Sequence, residues 1–182
     1  MKRVSSLLCV VAFAVGVAGC GTNRDATRIQ GIVNDPFSPA IEIDGAFLWS
    51  NPFGGPTRKW YLVSLVDRKT QAVTHELYFY INYRPPMARF QFAADDIARE
   101  LPVVKIEHSR DCSGVSCLEY ESIGVVLDEQ TLRGRMLTGY KIKVSARDGT
   151  AYVLEITPRM IQLQVDALEN VLKSPPIAPP PK

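Results

Sequence analysis

The sequence predicts a mainly β protein: one antiparallel β-sandwich-like domain, of roughly seven or eight strands, with a C-terminal amphipathic helix. Three stretches carry that expectation. Residues 60–83 alternate apolar and aromatic side chains on both sides of a polar turn at Asp67–Thr70, the pattern of a hairpin. Residues 140–156 repeat it around Asp148-Gly149, a dipeptide suited to the positive φ of a tight hairpin turn. From Ile161 the period becomes helical, with Ile161, Val165, Leu168, Val171 and Leu172 on one stripe behind Thr157-Pro158, an N-cap followed by a first-turn proline.

The chain begins Met1-Lys2-Arg3, followed by an apolar run from Val4 to Val17 and then Ala18-Gly19-Cys20. A cationic start, a short apolar segment and small residues before a cut make a secretory signal peptide. The run is too short for a spanning helix, which needs roughly 20 residues. Val17-Ala18-Gly19-Cys20 resembles the lipobox of bacterial lipoproteins, position by position. The resemblance implies a signal peptide over residues 1–19, lipid on the Cys20 thiol, acylation of the new amine (palmitate as the expected chain) and a membrane anchor. Gly21, where an aspartate would imply inner-membrane retention, implies the periplasmic face of the outer membrane. The resemblance covers residues 1–20 and is silent on the domain beyond.

The whole chain carries 21 basic and 19 acidic residues, and loss of Lys2 and Arg3 with the signal leaves the remainder formally near neutral. No basic block is present, which excludes nucleic acid as an expected partner. The chain beyond the signal is long enough for one domain and too short for two. Cys112 and Cys117 are expected to form a disulfide in an exported chain. They lack Cys-x-x-Cys spacing and a second cysteine pair, so a redox dithiol or a metal site is the weaker reading. A loop this small places the bond's contribution at the low end of roughly 2–4 kcal/mol.

The expected layout is a lipidated tether over 20–40, a β-rich globular domain over 41–173 and a proline-rich disordered tail over 174–182. Within the tether, Asn34-Asp35-Pro36-Phe37-Ser38-Pro39 is rich in turn formers, and Phe37 reads as packed on the domain or as a docking contact. Ile41, Ile43, Phe47 and Trp49 suggest short strand pieces before a loop, Asn51–Pro56, that carries Phe53 as a second candidate contact. Tyr78 and Tyr80 share one face of the next strand, either as a half-buried sheet surface or as an aromatic binding surface. Arg84-Pro85-Pro86 ends that strand, Phe90 and Phe92 restart extended chain, and Ala94–Glu100 reads as a helical turn from Asp95. A strand over Leu101–His108 enters the cysteine loop. Beyond it the apolar phase shifts from Leu118 and Tyr120 to Ile123, Val125 and Leu127, which suggests a β-bulge. Lys141, Lys143 and Arg147 make a cationic hairpin face, solvated by default and otherwise a contact for acidic headgroups or glycans.

No residue is assigned a catalytic or metal-binding role and no cofactor is expected. The only histidines are His75 and His108, and no nucleophile-elbow, metalloprotease or phosphate-loop motif is present. His108 near Asp111 is the one pair whose geometry merits inspection. The expected function is a membrane-anchored, non-enzymatic envelope lipoprotein that docks another envelope protein. The alternatives are a carrier of a small apolar ligand or glycan, and an envelope hydrolase. An uncovered apolar face would favour docking, whereas a cavity of roughly 300–1,000 Å³ would favour a ligand.

Overall fold

The computed structural model describes residues 22–23, 27–51, 55–84, 88–113 and 116–174. Lipid attachment at Cys20, the candidate contact Phe53 and the tail beyond Ser174 lie outside the described residues. Strands dominate, and they form two antiparallel sheets with a C-terminal helix, as the alternation predicts.

The larger, seven-stranded sheet has the order β1-β3-β4-β5-β9-β8, with β2 also paired to β3. Its members are β1 (Thr22–Asn23), β2 (Gly31–Val33), β3 (Ala40–Ser50), β4 (Thr57–Asp67), β5 (Val73–Tyr83), β8 (Val103–Ser113) and β9 (Ser116–Leu127). The four-stranded sheet runs β11-β10-β6-β7 and contains β6 (Phe90–Asp95), β7 (Glu100–Leu101), β10 (Tyr140–Ala146) and β11 (Ala151–Ile156). Two helices complete the fold, α1 (Glu129–Gly134) and α2 (Pro158–Lys173).

The inner face of the large sheet has two unlike covers. Leu77, Phe79, Ile81, Ile123 and Val125 of β5 and β9 form the main core with Phe90, Ile142, Val144, Leu154 and Ile156 of the small sheet. Phe79 meets Phe90 edge-on with ring centroids 5.5 Å apart, the arrangement aromatic quadrupoles favour. Over β3 and β4 the cover is α2, whose Ala167 and Leu168 pack on Ile43 and Val66. Thr157 caps α2 by accepting a hydrogen bond from the Met160 amide, and Pro158 takes the first helical position as predicted.

Several local expectations are corrected. Residues 27–40 do not stand off as a tether: Gln30 N donates to Asp44 O, β2 pairs with β3, and Ile29 packs on the second core. Ala94–Glu100 is not a helical turn: Ala94 and Asp95 end β6, residues 96–99 make the tight link, and Glu100 begins β7 and pairs with Ala94. The Asp95 carboxylate accepts the Ile97 and Arg99 amides, and Ala98 adopts a positive φ. The apolar phase shift at Leu118–Ile123 is no bulge in β9, which keeps one phase throughout; the extra residue is Ile106, in β8. Leu118 and Tyr120 face outward because Glu119 and Glu121 occupy the inner face, where Arg110 and His108 pair with Glu119 and the Tyr83 hydroxyl bonds Glu121. The strand count exceeds the expected seven or eight because β1, β2 and β7 are short pieces with no apolar alternation of their own.

Candidate functional site

The outer face of the large sheet is an aromatic surface, and it depends on a bulge. Gly45 and Ala46 together oppose Leu62 between the pairs Asp44–Val63 and Phe47–Tyr61. The extra residue turns Leu48 into the core and sends Phe47 and Trp49 outward. Cross-strand pairing then aligns Phe47, Tyr61 and Tyr78 in one row, and Trp49, Lys59 and Tyr80 in the next. Tyr61 and Tyr78 have centroids 5.4 Å apart, and Tyr80 lies 6.3 Å from Tyr120. Lys59 Nζ sits 4.7 Å over the Phe47 ring and 5.0 Å over Tyr61, so the one cation in these rows is already engaged by aromatic faces. Among the described residues no helix or strand packs on this surface; the covering elements lie on the other side.

Carboxylates surround the aromatic rows. Burial, with Asp44 beside it, pushes the Glu42 carboxyl above its ordinary range, and Glu76 adds to the effect. Burial and then Asp44 push the Tyr61 hydroxyl up to about 12, so at neutral pH it remains a donor. Burial likewise raises Tyr78 and Tyr80, with Glu76 beside the first and Tyr120 and Glu107 beside the second. Tyr80, Tyr120, Glu107, Ser109 and Ser122 bound a shallow hollow of about 280 Å³. Two tyrosine rings with a carboxylate at the rim suit a cationic side chain.

A second concavity lies between the sheets, at the end where β3 stops and β4 begins. It has a volume of about 680 Å³ and is lined by Ile81, Tyr83, Ala88, Phe90, Leu118 and Tyr152, with Asn51, Asn82, Arg84, Asp148 and Thr150 also bordering it. Its walls are held in place. Tyr83 donates to Glu121 and accepts the Ala88 amide, and Phe90 stacks on Tyr152 at 5.6 Å.

Of the candidate contacts, Tyr78 and Tyr80 share the open face, but Phe37 is not brought to them. Phe37 stands at the opposite pole, 83% exposed, on a turn clamped by Arg68 through Asn34 Oδ1, Asp35 O and Ser38 O. Alternation within one strand does not reveal Phe47, Trp49, Tyr61 and Tyr120 as partners of Tyr78 and Tyr80; Gly45, inside an otherwise regular strand pattern, is the available sign of the bulge. Cys112 and Cys117 form the expected disulfide across the β8–β9 hairpin. Lys141 and Lys143 are exposed on the outer side of the small sheet.

The histidines have other roles. His108 bonds the buried Glu119 rather than Asp111, and the Arg110 hydrogen bond holds the Glu119 carboxyl below its usual range against the effect of burial. His75 Nδ1 lies 2.8 Å from Ser64 Oγ, a nucleophile–base distance. Both side chains are buried, however, with Gln164 of α2 above Ser64 and Glu129 and Arg133 of α1 near His75. Gln164 Nε2 donates to Ser64 Oγ and to Ile43 O, which leaves the Ser64 hydroxyl to donate to His75. The group thereby ties helix to sheet with a neutral imidazole. Among the described residues no cluster of three or more His, Cys, Asp or Glu side chains is arranged to hold a metal.

Burial holds the His75 pKa below its ordinary 6.5, despite Glu129 and Asp128 nearby. The unfolded chain therefore takes up this proton first as pH falls, and the stability His75 confers is present above pH 6.5 and declines below it. Denaturant midpoints are expected to fall between pH 7.5 and 5.5, by at most about 1.4 kcal/mol per pH unit from this group. In His75→Gln the midpoint should be lower at pH 7.5 and change less over that interval. An unchanged pH slope would contradict the neutral, buried assignment.

Comparisons of the chain with protein-family models, curated proteins and solved structures find no match. The class that fold and surface define is therefore a structural one: a β-sandwich-like domain with one open aromatic, acid-rimmed sheet face.

Proposed function

We propose that the protein is a lipid-anchored, non-enzymatic component of the bacterial envelope that docks a partner protein on the open face of its large sheet. The observation that carries this reading is the uncovered aromatic surface of Phe47, Trp49, Tyr61, Tyr78, Tyr80 and Tyr120. Aromatic residues bury much area at little rotamer entropy, and they are enriched where interfaces concentrate their energy. The carboxylates of Glu42, Asp44, Glu76 and Glu107 select a partner with a basic rim, and the hollow between Tyr80 and Tyr120 receives a lysine or arginine side chain. The lipobox-like Val17-Ala18-Gly19-Cys20 supports anchoring at the periplasmic face of the outer membrane.

Carbene footprinting of intact cells against the purified protein tests the reading. Tyr78 and Tyr80 are expected to be labelled in the purified protein and protected in cells, while Lys141 and Val153 of the small sheet label equally in both. Equal labelling of Tyr78 and Tyr80 in the two samples would contradict it. Protection that survives protease treatment of the envelope but not glycan digestion would assign the face to a glycan instead.

A further inference from the structure

The cleft between the sheets is distinct from the aromatic rows, although Leu118 and Asn82, on the same outward face as Tyr120, reach its border. Its position relative to the start of the described chain gives it meaning. Thr22 pairs with Ser50 and Asn23 with Trp49, so the N-terminal segment enters the domain one residue from Asn51 on the border of the cleft. Cys20 precedes Thr22 by two residues, a reach of at most about 7 Å of extended chain. On the anchor reading, that reach holds lipid on Cys20 close to Asn51 at the border of the cleft.

The chemistry of the cleft fits what a bilayer holds. Ile81, Ala88 and Phe90 are nearly inaccessible at its wall, and Leu118 and Tyr152 extend the apolar surface outward. Its volume of about 680 Å³ falls within the range of ligand-binding cavities, roughly 300–1,000 Å³. Arg84 and Asp148 border it with opposite charges, matching a headgroup that carries both a phosphate and an ammonium.

We propose that this cleft takes an acyl chain of a zwitterionic phospholipid from the membrane to which the protein is anchored. The orientation in this proposal rests on the anchor reading; the ligand chemistry rests on the cleft itself. An acyl chain in a bilayer is already out of water, so its own methylenes gain nothing by the move; the gain is burial of the cleft's own exposed apolar surface, at roughly 25 cal/mol per Å².

The protein is incubated with phosphatidylcholine vesicles whose acyl chains carry a photoactivatable diazirine, irradiated, and the adducts are located by mass spectrometry. Label is expected on Tyr83 and Tyr152, the partly exposed aromatic residues of the wall. Ala88→Trp, which fills the cleft, and Thr150→Trp, a turn residue that leaves the core alone, are expected to lose that label; Thr150→Trp should keep the original melting temperature. Label on Tyr152 persisting in both variants, label confined to Tyr78 and Tyr80, or no label at all would overturn the proposal. Failure of the anchor reading is seen separately: Cys20→Ser would still sediment with membranes, whereas adducts in the cleft are read in the wild-type and Cys20→Ser proteins alike.

Discussion

Gly45→Ala is expected to lower the unfolding free energy by about 2–3 kcal/mol. A Cβ at position 45 would lie 2.5 Å from Gln164 Oε1 and 2.7 Å from Leu62 O. The second neighbour is backbone in the central part of the sheet and cannot yield cheaply. The first belongs to a side chain already tied to Ile43 O and Ser64 Oγ, so relieving the clash means lifting α2 from the sheet or breaking the bonds that dock it. For a domain of this size the change corresponds to roughly 2–4 °C in melting temperature per kcal/mol. Gly134→Ala is the control: nothing lies within 4 Å of its added Cβ, and replacing a helical glycine stabilises by up to about 1 kcal/mol. Equal, small effects in the two variants would show that α2 does not sit on the bulge as described. Since the same bulge turns Phe47 and Trp49 outward, Gly45→Ala should also weaken whatever the open face binds.

Cys20→Ser is expected to move the protein from the membrane fraction to the soluble fraction. One acyl chain gives only marginal, reversible binding, but two or three on a single residue hold a protein to a bilayer stably, at about 0.8 kcal/mol per buried methylene. No helix among the described residues is long and apolar enough to cross a membrane. Mass analysis of the wild-type protein should show a blocked N-terminal Cys20 bearing lipid. A Cys20→Ser protein that sediments with membranes as before would remove the anchor from the account.

The hairpins at β4–β5 and β10–β11 and the start of α2 are legible because each is written in side chains: strict alternation, Asp148-Gly149, and Thr157-Pro158 ahead of an apolar stripe. The features that stay hidden depend on partners distant in sequence or on backbone alone. Leu118 and Tyr120 carry the apolar pattern where β9 begins, yet Glu119 and Glu121 turn to the inner face, where Arg110, His108 and Tyr83 satisfy them. The edge formed by residues 27–33 pairs through main-chain groups and so leaves no pattern in a polar stretch. Helix α1 is too short to show a period, although Asp128 ahead of Glu129 is an N-cap signal and its carboxylate does accept the Thr131 amide. Of the binding surface, Tyr78 and Tyr80 can be placed on one face from β5 alone, but their neighbours come from β3, β4 and β9. The cleft is assembled from several separate segments and has no local signature.

The measurement that bears most directly on docking is site-specific photo-crosslinking in intact cells, with the crosslinker placed at Tyr80 on the open face or at Val153 on the outer side of the small sheet. One protein adduct of defined mass is expected from Tyr80 and none from Val153, and the adduct is lost when Tyr61 and Tyr78 are both replaced by serine. An adduct from Val153 alone, or none from Tyr80 in cells where the protein is folded and membrane-bound, would contradict docking on that face.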